Sequence, residues 1–521
     1  MTPSFIKVLL DGQDVETLAP FLLTLDCTIS HQLNRHSTCR VQFREPPSSR
    51  FFFEPQIGVV MELKAVDADG AELPLFKGVL QEAAADWELN GSAVLTLSGV
   101  SKSMALDTFR NSQTFNEVPL SEAIERLLGP RAADQVMPDP GPLSMIQFDE
   151  TDWSFAHRLT DRFGGFMRIS GDDVDVFDVF QGAGVELAWR TEAGLHAFRT
   201  RGRLEPTMLT GVNFEFASAT SEQTDALESD VAAEDSVPEL RAGAIAGSKK
   251  LGLESAVWNK FLAPSHARFK RELSLEAERR IMSTCRGFGE SRVPEIVVGE
   301  KVKITGAIDV PGTYGVIKIE HSWKPGRGYR NEFECTPFTR FMEPVAPPVE
   351  RYYGPEIARV AETSPDQQGR TPHVRVNFLW ADKNDTGFLP LITPNAGADR
   401  GICFVPEVGD QVLVFFRGGD ACKPIVMGSM WNGVDQPPLE DLHGGEYKPN
   451  DIKRIVTKSG NRLVFDDKPG KETMVMATPN HVRVSLFDGG QTLLLHSDGD
   501  VHIHAGGTVH MRCKQFLREV G

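Results

Sequence analysis

Residues 453–521 do most to limit what this chain can fold into. The stretch "IVTKSGNRLVFDDKPGKETMVMAT" covers 455–478, with apolar residues alternating inside each short run. The runs are parted by Ser459-Gly460-Asn461 and by Asp466-Asp467-Lys468-Pro469-Gly470, so the pattern reads strand, turn, strand, turn, strand. It continues through runs at 481–487, 491–497, 501–505 and 508–511, separated by "PN", "DGG", "DGD" and "GG". No helical pattern lies among them to cover the ribbon. One sheet of this kind leaves an apolar face and two edges open to water. Three identical chains in parallel, wound into a triangular β-prism, close both. The expected object is a stiff needle.

Upstream, 521 residues leave room for roughly two to four domains, and 47 Gly with 33 Pro suit many short strands and turns. Residues 1–110 read mainly as strands, with a hairpin at Asn90-Gly91 inside "FKGVLQEAAADWELNGSAVLTLSGV". Two helices follow. "VPLSEAIERLLGP" puts Leu120, Ile124, Leu127 and Leu128 on one face, and "TDWSFAHRLTDRFGGF" has Thr151 or Asp152 as its cap and stops at Gly164-Gly165. From 204 to 240 there is no Lys or Arg while eight acids gather between Glu215 and Glu239, which predicts an exposed loop. A helix around 274–285 precedes another strand-rich block. "EPVAPPVERYYGPE", with four prolines, marks a linker.

Beyond it, "HVRVNFLW", "DQVLVFFRGG" and "KPIVMGSMWN" are half-buried strands around the turn "PEVGD", and their number suits a five-stranded OB-like barrel. The predicted organisation is residues 1–345, a linker at 346–368, the barrel at 369–437, a second linker at 438–452 and the needle from 453. The class is mainly β with minor α.

Composition removes several functions. A formal charge of −17 argues against nucleic acid, which needs a clustered basic surface. Seven scattered Cys form no CxxC pair, so reduced, mostly buried thiols are expected. The opening "MTPSFIKVLLDGQDVETLAP" is not a signal peptide, and no stretch approaches the roughly 20 apolar residues of a membrane span. HExxH, GxSxG, Walker A and GxGxxG motifs are missing, so neither catalytic residues nor a cofactor site are predicted. "DKNDTG" at 382–387 starts like a calcium loop but has Thr393 at the twelfth position, and reads as a turn. Five of the 13 His fall after residue 480, and His502 and His504, two apart, share one strand face. Three chains could offer them to an axial transition metal. The other reading has them facing solvent while Val501, Ile503, Ala505, Val509 and Met511 are buried, and no metal site is assigned.

"RGICFVPEVGDQVLVFFRGGDACKPIVMGSMWNG" (400–433) and "KSGNRLVFDDKPGKE" (458–472) carry a family resemblance. With "FDETDWSFAHRLTDRFGGF" and "GTYGVIKIEHSW…GYRNEFEC", the chain resembles the VgrG spike proteins of type VI secretion systems and the hub-and-needle proteins of contractile phage tails and extracellular injection particles. The resemblance implies β-barrel hub domains over residues 1–345 and a homotrimer whose hub meets baseplate proteins and seats on a hexameric, Hcp-like inner tube. It implies a PAAR-type cone on the needle tip, assembly in the cytoplasm, and propulsion by sheath contraction through a target membrane without a transmembrane helix. With no further domain after the needle, effectors are expected as separate cargo.

The tip is predicted at "TVHMRCKQFLREVG", where apolar Val509, Met511, Phe516, Leu517 and Val520 lie beside Arg512, Lys514 and Arg518. Three copies would form an apolar platform rimmed with positive charge; a frayed tail is the alternative. Competing functions are a spike with hydrolase activity within 204–345, a phage baseplate hub, and a carbohydrate-binding trimer resembling a tail fibre.

Overall fold

The computed structural model describes residues 3–518 apart from 48–55, 139, 192–193, 216–219, 227–237, 259–265, 307–309, 346–350, 366–371, 382–384 and 439–450. The chain divides into two compact units, Met1–Ser429 and Met430–Gly521.

The larger unit is organised by a thirteen-stranded sheet. Strand Leu23–Gln32 lies at its middle, with Thr38–Glu45, Ala93–Val100, Glu72–Trp87, Val60–Asp67 and Pro3–Leu10 following on one side. On its other side come Gly312–Lys324, Gly328–Thr336, Cys285–Ser291 and Leu195–Gly202. The join pairs Lys318 with Gln32 and runs to Trp323 opposite Cys27, so strands almost 300 residues apart in sequence close one sheet. Two cores flank the join. One gathers Ile29, Val41, Phe43, Met61 and Leu63; the other gathers Leu33, Phe180, Tyr314, Val316 and Phe333. The Asn90-Gly91 turn sits as expected between Glu72–Trp87 and Ala93–Val100, with Gly91 at φ +83°.

Helices Leu120–Leu128 and Asp152–Arg162 form where their periodicity places them. Thr151 caps the second, its hydroxyl accepting from Ser154 N–H at 3.1 Å. Their apolar stripes meet in a third core with Phe115, Leu143 and Val176. The helix predicted at 274–285 is longer, His266–Ser283. Its Arg279 grips Asp161 through both carboxylate oxygens at 2.8 and 2.6 Å. This buried bidentate pair fixes helix Asp152–Arg162 against it.

The acidic stretch is not a loop throughout. Met208–Glu215 and Thr220–Ala226 pair as a hairpin, with Glu254–Trp258 beside the first, and a further helix covers Pro238–Lys250. The acids misled because strand period, not charge, decides burial here: Leu209 packs on Phe269, Leu273 and Ala277 of the long helix.

The OB-like block is a five-stranded sheet in the order Leu389–Pro390, Pro372–Phe378, Glu356–Pro365, Gln411–Phe416, Pro424–Ser429. Its central strand occupies residues expected in the linker. The four prolines end at Pro355, and Ala358 and Val360 then alternate into the core, so the linker stops some ten residues early. That core also takes Ile146 and Phe148 from strand Leu143–Thr151, and the Cys422 thiol donates to the Ile146 carbonyl at 3.3 Å. The "DKNDTG" turn falls partly outside the described residues.

The smaller unit is an antiparallel meander of Ile452–Val456, Arg462–Asp466, Thr473–Ala477, Arg483–Phe487 and Thr492–His496. The strands expected at 501–505 and 508–511 do not form, and residues 497–518 carry no strand. A strand needs a neighbour for its N–H and C=O groups, and within one chain these residues find none.

Candidate assembly surfaces

Turn chemistry sets the register of the meander. Gly460 stands at φ +85° and donates to Thr457 C=O at 2.8 Å, while Asp466 accepts from Lys468 N–H at 3.0 Å, holding the next turn. With register fixed, cross-strand rows follow residue by residue. One face carries Lys453–Phe465–Met474–Leu486–Leu493 and Ile455–Leu463–Met476–Val484–Leu495. Lys453 is its single polar member. The other face carries Ile452–Asp466–Thr473–Phe487–Thr492 and Arg454–Val464–Val475–Ser485–Leu494.

Burial is inverted relative to polarity. The mixed face holds the buried residues, Val464, Val475 and Ala477 with Ile452 against them. The apolar face is the open one: Met476 is 51% exposed, Leu495 55% and Leu493 60%. A groove of about 470 Å³ at one end of the sheet is lined by Phe465, Met474, Leu486 and Leu493 of this face and by Asp466, Thr473, Phe487 and Thr492 of the other. Covering half-exposed side chains of this size contributes about 1 kcal/mol each, hence on the order of 5 kcal/mol per chain for Ile455, Phe465, Met476, Leu486, Leu493 and Leu495. Contiguous apolar surface of this kind marks an interaction site. Sequence alternation gave both faces, but not which of them one chain covers by itself.

The predicted tip residues are all at the surface. Val509, Met511, Phe516 and Leu517 are exposed in an irregular segment after Gly506-Gly507, together with Arg512, Lys514 and Arg518. No secondary structure of the single chain brings them together, and Val520 lies outside the described residues. His502 and His504 do share a side, their rings 6.2 Å apart and nearly parallel. Among the described residues no group of three or more His, Cys, Asp or Glu is placed to hold a metal. No described helix is long and apolar enough to cross a membrane. Of the thiols, Cys27, Cys39, Cys285 and Cys335 are buried and Cys403 and Cys513 exposed, none of these in a disulfide.

Residues 357–431 match the family of the type VI secretion system/phage-baseplate injector OB domain, which is the five-stranded block. The chain is 32% identical over 167 residues to the type VI secretion system spike protein VgrG5 of Pseudomonas aeruginosa, covering 28% of this chain and 20% of that protein. It is 26% identical over 214 residues to the actin cross-linking toxin VgrG1 of Vibrio cholerae, covering 36% and 19%. The matches thus span about a fifth of these curated relatives. In fold, the chain is similar to a chain of the Francisella PdpA-VgrG complex (TM-score 0.60, 8% identity, 94% of this chain and 79% of that one). It is also similar to the Escherichia coli c3393 protein, a type VI secretion component likened to the T4 tail proteins gp27 and gp5 (TM-score 0.54, 16% identity, 81% and 100%).

Proposed function

We propose that this chain, a relative of the VgrG-type spike proteins, works as one third of the puncturing spike of a contractile injection machine. The observation that carries the reading is the two-row apolar face, left open while the buried residues of the sheet lie on its mixed face. Its occupant is the same face region of two further copies. Three sheets then bury their apolar rows together, and a ribbon that is marginal alone becomes a rigid shaft.

The role that follows is mechanical. The large sheet unit serves as the hub, docked on a hexameric inner tube and held by baseplate proteins, and the OB block leads into the needle. Assembly takes place in the cytoplasm, and sheath contraction then drives the spike outward through a target membrane. Effectors travel as separate proteins, an arrangement supported by the solved complex of PdpA with a VgrG. The toxin name of the Vibrio relative describes a protein of which the match covers 19%, and no catalytic role is carried over from it. Hydrolysis of cell wall or lipid by the purified protein would move the reading toward an enzyme.

At the far end, Val509, Met511, Phe516, Leu517 and Val520 from three copies form the seat for a PAAR-type cone, with Arg512, Lys514 and Arg518 around it. An open strand end with unpaired backbone groups invites such a cap. Light scattering coupled to size-exclusion chromatography tests the assembly: three copies of the 57.5 kDa chain are expected, and a stable monomer at micromolar concentration overturns the spike. Removing residues 514–521 should leave the trimer intact and abolish capture of the cone in a pull-down. Full capture by the truncated trimer places the seat elsewhere.

A further inference from the structure

In the larger unit, five strands of the big sheet contribute residues to one pocket of about 210 Å³. Arg201 and Arg203 reach it from strand Leu195–Gly202 and the residue just past its end, Arg286 from Cys285–Ser291, and Arg35 from the turn after Leu23–Gln32. Glu334 and Glu343 are the acids in the wall, so four guanidiniums face two carboxylates.

Those carboxylates are already engaged. Glu334 lies 3.3 Å from Arg286 Nε, and Glu343 accepts from Asn34 at 3.4 Å with His157 Nε2 at 3.7 Å. Arg203 pairs outside the pocket with Glu205 at 2.7 Å. Arg201 is exposed; among the described residues it has the face of Phe288, 5.2 Å away, beneath its guanidinium, and it stands directly across the ladder from Arg286. Like charges in that register repel. Arg286 is nonetheless buried, with 5% of its side chain exposed. Its Nη1 is tied to Met282 C=O at 2.6 Å and Cys285 C=O at 3.2 Å, which aims the guanidinium and leaves Nη2 outside those bonds.

Charges on an edge strand can serve simply to prevent strand pairing. That explains Arg199, which stacks on Phe288 from the same strand; Glu334 offsets Arg286, but Arg201 across the ladder has no ion pair among the described residues. We infer that the pocket binds a single oxyanion, either a free phosphate or the carboxylate of an acidic side chain on a protein partner. An oxyanion between Arg35, Arg201 and Arg286 turns the repulsion into charge-assisted hydrogen bonds. The volume suits one such group and falls short of the roughly 300–1,000 Å³ of sites for larger ligands. In a chain of formal charge −17, four arginines at one point are a local departure from the surface average.

The test is calorimetric titration of the full chain at constant ionic strength, with inorganic phosphate in one arm and a blocked tri-glutamate peptide in the other. Saturable binding is expected, weakened about tenfold or more by Arg35→Ala or Arg201→Ala and unchanged by Arg199→Ala. Arg201→Lys keeps the charge without the fork and should fall between; unaltered circular dichroism shows the variants folded. Displacement of phosphate by the peptide assigns the site to a protein side chain, and phosphate binding without displacement assigns it to the free ion. No saturable binding of either probe, or equal binding by wild type and Arg35→Ala/Arg201→Ala, overturns the inference.

Discussion

Two five-stranded sheets in this chain meet opposite fates. The OB block wraps its strands so that Val374, Val376 and Phe378 face Val412, Val414 and Phe416 across one interior, all nearly inaccessible. The meander at 452–496 buries only Val464, Val475 and Ala477 as a core and leaves its more apolar rows in water. Both sequences alternate with period two, and both have well-formed turns. The difference lies in connectivity: the OB strands are reordered in space and can curl round a core, whereas successive hairpins generate a flat ribbon. A ribbon with one apolar face is a half-structure, and on the proposed reading its missing half comes from two further copies of the chain.

The sharpest way to break this comparison is a crossed pair of substitutions. Leu486→Asp places a carboxylate in the open apolar row, where the trimer would bury three of them; each unpaired charge costs several kcal/mol, so the assembly should dissociate. Light scattering should show monomers that remain folded. Phe416→Ala should do the reverse. It empties a fully buried position, lowers stability by about 3–5 kcal/mol, and leaves the stoichiometry unchanged. Monomers from Phe416→Ala, or an intact trimer from Leu486→Asp, would erase the distinction.

Acid should separate the regions next. His31 and His321 lie edge to face, 5.7 Å apart, at the join of the large sheet. His31 bonds Ser37 Oγ and Leu75 C=O, and His321 bonds the Tyr329 hydroxyl. Burial pushes His31 down to about 4; burial, then the neighbouring His31, holds His321 well below its ordinary value. Between the unfolded value of 6.5 and about 4 the unfolded chain binds more protons than the folded one, so stability is full above 6.5 and falls as pH drops through that window. The loss is about 3 kcal/mol for His31 alone. Thermal melts of the larger unit should show it, and His31→Gln should flatten the slope. A pH-independent melting temperature between 7 and 4.5 would contradict the lowered proton affinity of this pair.

The smallest effect probes turns. Gly460 in the meander and Gly409 in the OB block both sit at positive φ, +85° and +98°, where a side chain costs about 1 kcal/mol. Gly409→Ala should cost that once per chain. Gly460→Val adds a Cβ 3.5 Å from Pro479 in the strands whose stability is tied to assembly, so its melting shift should depend on protein concentration. Equal, concentration-independent shifts would mean the needle gains nothing from assembly.

Local chemistry by itself settled much of this protein. The helices Leu120–Leu128 and Asp152–Arg162, the Asn90-Gly91 hairpin, the glycine turns and the alternating rows of the meander all follow from contacts a few residues long, where periodicity and turn geometry suffice. The resemblance in 400–433 pointed to the OB block, which the family match at 357–431 supports; that in 458–472 fell on the meander. Tertiary structure decided the rest. It drew Glu356–Pro365 out of an expected linker because a central strand was needed between Pro372–Phe378 and Gln411–Phe416. It made a hairpin of an acidic stretch because Phe269 and Leu273 offered Leu209 a place to bury. It brought Arg35, Arg201 and Arg286 together from strands separated by up to about 250 positions. Such outcomes depend on which distant strand supplies the partner, and that choice rests on the summed packing of a whole sheet, which no short window of sequence contains.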